Sequence, residues 1–309
     1  MIGVLGLCAR YGRVWLVGGL VVGIALPDLA LALRPLIAPM VVLLLFLAVL
    51  RLGPEGVRAG LDGMPGAIGA VLMLQLVLPF LAVAGFAGLG WLGHPLALGV
   101  VLMLAAAPIT GSPNLAIMAG AAPAPALRQL VLGTALLPLT ALPVFWFIPA
   151  FGSPAAVIRA VAELLVLILL AGGVALALRL GDVVRGGAQT EKALDGVAAI
   201  TLGVVVVALM SAVGPALLGG GGFWAALAVA MIANLALQIG VSALSRKRTP
   251  VAAPAMGITA GNRNIALFLG VLPDSAVEVL LLFIGVYQIP MYLTPMLLTG
   301  WYRRMARGH

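Results

Sequence analysis

The sequence predicts an all-α, polytopic membrane protein of ten helices in two inverted five-helix repeats. Three observations carry that prediction. The first is composition: 63% of the 309 residues are hydrophobic, 8% are charged and mean hydropathy is +1.23. So few polar side chains cannot cover the surface of a water-soluble globule. The second is a polar knot that occurs twice, each time inside an apolar segment. The third is the placement of Lys and Arg between the segments.

A helix needs about 20 mostly apolar residues to cross the hydrocarbon core. A closed barrel would need alternating strands of about ten residues, and none is evident. Apolar runs bounded by charge or by Gly/Pro clusters place the ten helices at 14–26, 35–50, 66–86, 95–120, 125–147, 155–178, 194–218, 223–244, 250–272 and 275–301. The first is short. The fourth and ninth contain the knots. Residues 1–151 form the first repeat and 152–309 the second, with no soluble domain. The polar stretch from Arg179 to Lys192 only joins the halves. Ser275-Ala276-Val277-Glu278 has the spacing of a capping box at the start of the tenth helix.

The second knot reads Ile258-Thr259-Ala260-Gly261-Asn262-Arg263-Asn264-Ile265-Ala266. The first reads Ile109-Thr110-Gly111-Ser112-Pro113-Asn114-Leu115-Ala116. After one deleted residue, Gly111 pairs with Gly261, Asn114 with Asn264 and Ala116 with Ala266. Pro123 then answers Pro273, and the pair Pro138 and Pro143 recurs with the same spacing as Pro290 and Pro295. An internal duplication whose copies each carry a broken helix is the sequence signature of a transporter site.

Basic residues collect on the cytoplasmic side of membrane proteins. With the N-terminus inside, fourteen of the seventeen fall in cytoplasmic segments, Arg34 and Arg159 fall outside, and Arg263 lies within a span. Both termini are therefore expected in the cytoplasm, in an inner (plasma) membrane of bacterial type. Five helices per half is an odd number, so the second copy is inverted relative to the first. Dispersal of the +8 formal charge between apolar segments argues against nucleic acid as a partner. Lipid and a small solute are the expected partners.

A helix broken at mid-membrane depth frees backbone groups, which is tolerable only where protein or a water-filled cavity satisfies them. One half then presents N–H groups and the positive end of its dipole, the other presents carbonyls. Thr110, Ser112, Asn114, Asn262, Arg263 and Asn264 surround these ends, and Tyr287 and Gln288 in the tenth helix are further candidate substrate-binding side chains. Gln75, Asn234 and Gln238 line the cavity or act as glue between helices. Arg263 is the most informative residue, because a guanidinium at mid-span is costly. It either receives an anionic substrate or fills space by bonding freed carbonyls.

Other classes lack their signatures. The lone Cys8 excludes an internal disulfide and a multi-cysteine metal cluster, and no metal or other cofactor is expected. An intramembrane enzyme needs a carboxylate pair, a His cluster or an activated nucleophile at depth, whereas His94 and His309 lie outside the spans. Arg10 and Arg13, the apolar run after them, and Ala30 and Ala32 have the outline of a cleaved signal, but the repeat needs that helix.

At the knots the chain resembles the bile acid:sodium symporter family. That resemblance implies ten helices in two inverted repeats, with helices four and nine unwound and crossing. In helix nine the family reads Glu-x-Gly-x-Gln-Asn, where Thr259, Gly261, Arg263 and Asn264 stand at the first, third, fifth and sixth places. In helix four it reads Pro-Gly-Gly-(Ser/Thr)-x-Ser-Asn, matched by Pro108, Gly111 and Asn114, with Pro113 in place of the serine. Asn234 stands where the family has an asparagine in helix eight. Counterparts of the cation site are Gln75, Asn114, Arg128, Thr259 and Arg263. The resemblance implies a symporter of a small organic anion, yet glutamate, glutamine and hydroxyl ligands of sodium are replaced here. Arsenite export on the same fold would need a thiol in helix four, which is missing.

Overall fold

The computed structural model describes residues 5–8, 11–61, 64–220 and 222–306. Among them the secondary structure is helical and no strand forms. The helices are α1 (Gly12–Ala25), α2 (Pro27–Leu33), α3 (Ile37–Leu61), α4 (Met64–Leu72), α5 (Leu78–Gly88), α6 (Pro95–Ala105), α7 (Ser112–Met118), α8 (Pro123–Trp146), α9 (Pro154–Leu180), α10 (Ala188–Leu209), α11 (Val213–Leu218), α12 (Phe223–Arg246), α13 (Ala253–Gly261), α14 (Asp274–Leu297) and α15 (Thr299–Ala306). A π-helical turn, Met73–Val77, joins α4 to α5. Short 3-10 turns occupy Arg34–Leu36, Pro149–Phe151 and Ile265–Gly270.

Seven stretches among the described residues are long and apolar enough to cross a membrane: Pro27–Leu61, Met64–Gly88, Pro123–Trp146, Pro154–Leu180, Ala188–Leu209, Phe223–Arg246 and Asp274–Leu297. The chain is a polytopic helical membrane protein. The other three expected helices are short or interrupted. α1 has 14 residues, the expected fourth helix is α6 and α7 with residues 106–111 between them, and the ninth is α13 followed by a 3-10 turn.

Boundaries shift where proline and glycine act. The second expected helix begins earlier, as α2 and a 3-10 turn, and continues to Leu61 through Gly53, whose φ of 63° breaks the helical path. The seventh divides after Leu209 and the tenth after Leu297. The expected capping box is not formed. α14 starts at Asp274 with Pro273 in the N-cap position and no side-chain cap bond, which puts Ser275 inside the first turn rather than at its edge.

Contacts divide the chain into two units, each drawing on both halves of the sequence. The first comprises residues 1–57, 162–223 and 266–272, hence α1, α2, most of α3 and α9, α10 and α11. Its tightest seam lies between α1 and α10. A Cβ at Gly19 would lie 2.8 Å from the Gly203 carbonyl oxygen, and one at Gly23 would lie 2.6 Å from Met210 Cβ. Small residues four apart let two backbones approach closely, the usual means of joining helices where lipid removes the hydrophobic drive. Arg51 pairs with Asp195 between α3 and α10, with both side chains partly exposed.

The second unit comprises residues 58–161, 224–265 and 273–309 and contains the first knot and the second as far as Ile265. α12 is its clearest case of one-sided burial. Ala226, Ala230, Asn234, Gln238 and Ser242 are buried along one face, the four-residue spacing of a single helix stripe.

Gly23→Leu is expected to destabilise the first unit by about 1–3 kcal/mol, because the new side chain meets the Val207 carbonyl oxygen at 2.7 Å as well as Met210 Cβ. Gly18→Leu, with nothing within 4 Å of its added Cβ, is the control. Thermal melts in detergent should separate the two, and equal melting would disprove the close approach.

Candidate functional site: two broken helices paired through their backbones

The interruptions at 106–111 and 262–264 meet each other. Pro108 and Arg263 form an antiparallel bridge: the Ile109 N–H donates to the Asn262 carbonyl at 3.0 Å, and the Asn264 N–H donates to the Ala107 carbonyl at 2.7 Å. Orphan groups of one break thus satisfy those of the other, as a buried backbone requires.

Side chains complete the second break. The Tyr287 hydroxyl, from α14, donates to the Gly261 carbonyl and accepts from the Arg263 N–H at 2.9 Å. Asn234 Nδ2, from α12, donates to the same carbonyl at 2.6 Å and to Asn262 Oδ1 at 3.3 Å. Asn262 Nδ2 turns back onto the Ile258 carbonyl at 2.7 Å. Gly261 has to be glycine here, since a Cβ would lie 2.4 Å from Gln238 Cγ and 2.8 Å from the Asn234 carbonyl oxygen. Its neighbour one turn back, Gly257, would meet the Gln238 carbonyl oxygen at 2.4 Å. α13 therefore lies flush against the buried stripe of α12.

Arg263 is 1% exposed. Its Nη2 donates to the Leu74 carbonyl at 3.2 Å, and that acceptor has a specific origin. In the π-helical turn the Leu78 N–H bonds to the Met73 carbonyl, five residues back. The next bond in that register would run from residue 79 to Leu74, but residue 79 is proline and has no N–H. The freed carbonyl takes the guanidinium instead. Among the described residues no carboxylate pairs with Arg263, and its Nε is buried without a partner.

Gln75, in the same turn, is 1% exposed. Its Nε2 donates to the Gly133 carbonyl at 3.2 Å, while its Oε1 has no partner. A Cβ on Gly133 would lie 2.9 Å from Pro108 Cδ and 3.1 Å from Gln75 Oε1. The missing side chain lets α8 approach the first break.

The structure gathers Asn262, Arg263 and Tyr287 directly at the pairing, with Gln75 one helix away. Thr259 is buried and bonds the Met256 carbonyl of its own helix at 2.9 Å. Ser112 likewise bonds the Ile109 carbonyl at 2.6 Å, closing the first break locally. Thr110 and Asn264 are half-buried and Asn114 is exposed on α7. Gln288 bonds the Ile284 carbonyl at 3.3 Å along its own helix. Arg128 is half-buried near the start of α8, with its Nε unpartnered.

Thr294 and Tyr302 belong to this neighbourhood and escaped sequence reasoning. Gln238 Nε2 donates to Asn234 Oδ1 and to the Thr294 hydroxyl, Thr294 donates to Asn234 Oδ1, and the Tyr302 hydroxyl donates to Gln238 Oε1 at 2.8 Å. The available signal was the four-residue spacing of Asn234, Gln238 and Ser242, which marks a polar stripe in need of partners. Compared with protein-family models and with the curated proteins, the chain finds no match in either.

Tyr287→Phe should cost about 1–3 kcal/mol, because the buried Arg263 N–H loses its acceptor. Arg263→Met leaves the Leu74 carbonyl unpaired, and adding Pro79→Ala supplies the N–H that the π register directs at that carbonyl. The pair is therefore expected to be coupled by about 0.5–3 kcal/mol, read from melting of the two single variants and the double. Strict additivity would show that Leu74 does not depend on Arg263.

Proposed function

We propose that this protein is a secondary transporter of a small organic anion, with its site at the paired breaks and Arg263 as the fixed positive charge that balances the substrate. One observation carries the reading: a fully buried guanidinium without a carboxylate partner stands where two interrupted helices meet. A charge at membrane depth costs about 2.5–3.5 kcal/mol even by the gentler insertion scales, and such a cost is normally retained for function. The orphan Nε leaves donor capacity for an oxyanion.

The finer architecture belongs to the same proposal: ten membrane-crossing helices in two inverted repeats, akin to bile acid:sodium symporters, with both termini cytoplasmic. Its support is the matched placement of the two breaks in the sequence halves and the way each contact unit draws on both halves. Sodium is not needed on this reading. A hard cation prefers several oxygens, one of them charged, but Thr259 stands where the glutamate would be, and Arg263 would repel a cation nearby. No catalytic role is proposed.

A second reading has an observation of its own. The bond from Arg263 to Leu74 gives the guanidinium a purely structural task, as in a non-transporting membrane protein or in an uncoupled or proton-coupled exporter whose substrate binds elsewhere.

Proteoliposome uptake across a panel of carboxylates, with and without a sodium gradient, tests the proposal. Wild type is expected to transport equally in sodium and choline, Arg263→Gln to lose at least about 90% of uptake, since an ionic hydrogen bond contributes roughly 1.5–3 kcal/mol, and Arg263→Gln with Thr259→Glu to become sodium-dependent. Uptake by wild type that scales with the sodium gradient would end the cation-independent reading. Full uptake by Arg263→Gln would favour the structural one.

A further inference from the structure

The C-terminal helix α15 has two faces with different partners. Tyr302 and Met305 are buried while Arg303 and Arg304 are exposed. Its inner face enters an apolar cluster of Ala116 from α7 and Ala119 just past its end, Ala126 from α8, and Ala255 and Ile258 from α13. α7 follows the first break and α13 leads into the second, so this short helix holds one half of each broken helix. Gly120 ends α7 with a φ of +77°, and an added Cβ there would lie 3.0 Å from Arg303 Cγ. The arginine stem crosses the end of α7 and carries its charge outward, the usual use of a long aliphatic stem at a membrane boundary.

Basic side chains cluster at one end of this unit. The Tyr302–Gln238 bond sets α15 beside the last two turns of α12, which ends in exposed Arg246, Lys247 and Arg248. Among the described residues of the unit, only Asp274 and Glu278 are acidic. Both lie at the start of α14, roughly 36 Å from its other end at 1.5 Å per residue. Five cations therefore share one end with no described carboxylate among them.

We propose that α15 and the basic end of α12 form a docking surface for anionic lipid headgroups, and that lipid bound there steadies the paired breaks. Clusters of four to eight Lys and Arg beside a membrane span attract anionic lipid, and an amphipathic helix with a basic outer face lies in the interface. The path inward is continuous and buried. The Tyr302 hydroxyl bonds Gln238, Gln238 bonds Asn234, and Asn234 bonds the Gly261 carbonyl at the second break. Headgroups that hold Arg303 and Arg304 hold Tyr302 in its seat, and through it the end of α13.

Full-length protein in nanodiscs of phosphatidylcholine, alone or with phosphatidylglycerol, tests this without any transport substrate. Two quantities are read: bound phosphatidylglycerol by native mass spectrometry, and hydrogen exchange in peptides covering residues 105–112 and 260–265. Phosphatidylglycerol is expected to slow exchange at both breaks by about fivefold or more, the lower range of ordinary site-to-site coupling. Arg303→Gln with Arg304→Gln, both at exposed positions, should retain less of the lipid and lose the slowing. Tyr302→Phe should retain the lipid and lose the slowing. Soluble glycerol phosphate added to phosphatidylcholine discs should not reproduce the effect. Exchange indifferent to phosphatidylglycerol, or a full response in either variant, would overturn the proposal.

Discussion

Everything at the centre of the second unit depends on two backbone hydrogen bonds, Ile109 N–H to Asn262 C=O and Asn264 N–H to Ala107 C=O. An interrupted helix inside a membrane cannot leave its freed groups to water. Each interruption here supplies the other with one backbone donor and one backbone acceptor. Glycine at 133 and 261 follows from that constraint, because α8 and α12 have to come close enough to wall off the pairing. So does the buried polar stripe of α12, whose Asn234 supplies the amide that reaches the Gly261 carbonyl.

Arg263 shows how one local fault is compensated by another. The π register at Met73–Val77 and the imino nitrogen of Pro79 together leave the Leu74 carbonyl without a helical partner. A guanidinium, with five donors and no acceptor, suits a place where carbonyls are in excess. That bond positions the side chain but leaves its charge uncompensated among the described residues. The structural task and the proposed role in balancing an anion are therefore compatible on one residue: a carbonyl accepts a hydrogen bond without neutralising the donor's charge.

Much of this was legible in the sequence. Hydropathy placed the apolar segments, and the repeated Gly-x-x-Asn knots located both breaks to within a few residues. Arg263 stood out because a lone cation in an apolar run has few bland explanations. What remained hidden was backbone chemistry. No side-chain pattern announces a π turn, so the Leu74 carbonyl and its bond to Arg263 were invisible. Tyr287 read as a cavity residue because a hydroxyl in a span looks like a ligand group, and only the fold reveals that it bridges Gly261 and Arg263. The turn at Leu297 that frees α15 from α14 was missed for a related reason, since Trp301 and Tyr302 resume the apolar pattern just after Thr299 and Gly300.

The two knots match in sequence but not in their surroundings. A Cβ at Gly261 would collide with Gln238 and with the Asn234 backbone, whereas one at Gly111 would meet only Ile109 Cδ1, at 4.0 Å. The second break is held by Asn234, Asn262 and Tyr287 from three directions. The first is held by Ser112 within its own turn and by the backbone of its partner. Dependence therefore runs mainly one way. Loosening the second break removes the acceptor and the donor on which the first relies, while a change confined to Gly111 or Thr110 leaves the clasp around Gly261 in place. The pairing thus has a fixed half and a dependent half, and the fixed half is the one that carries the arginine.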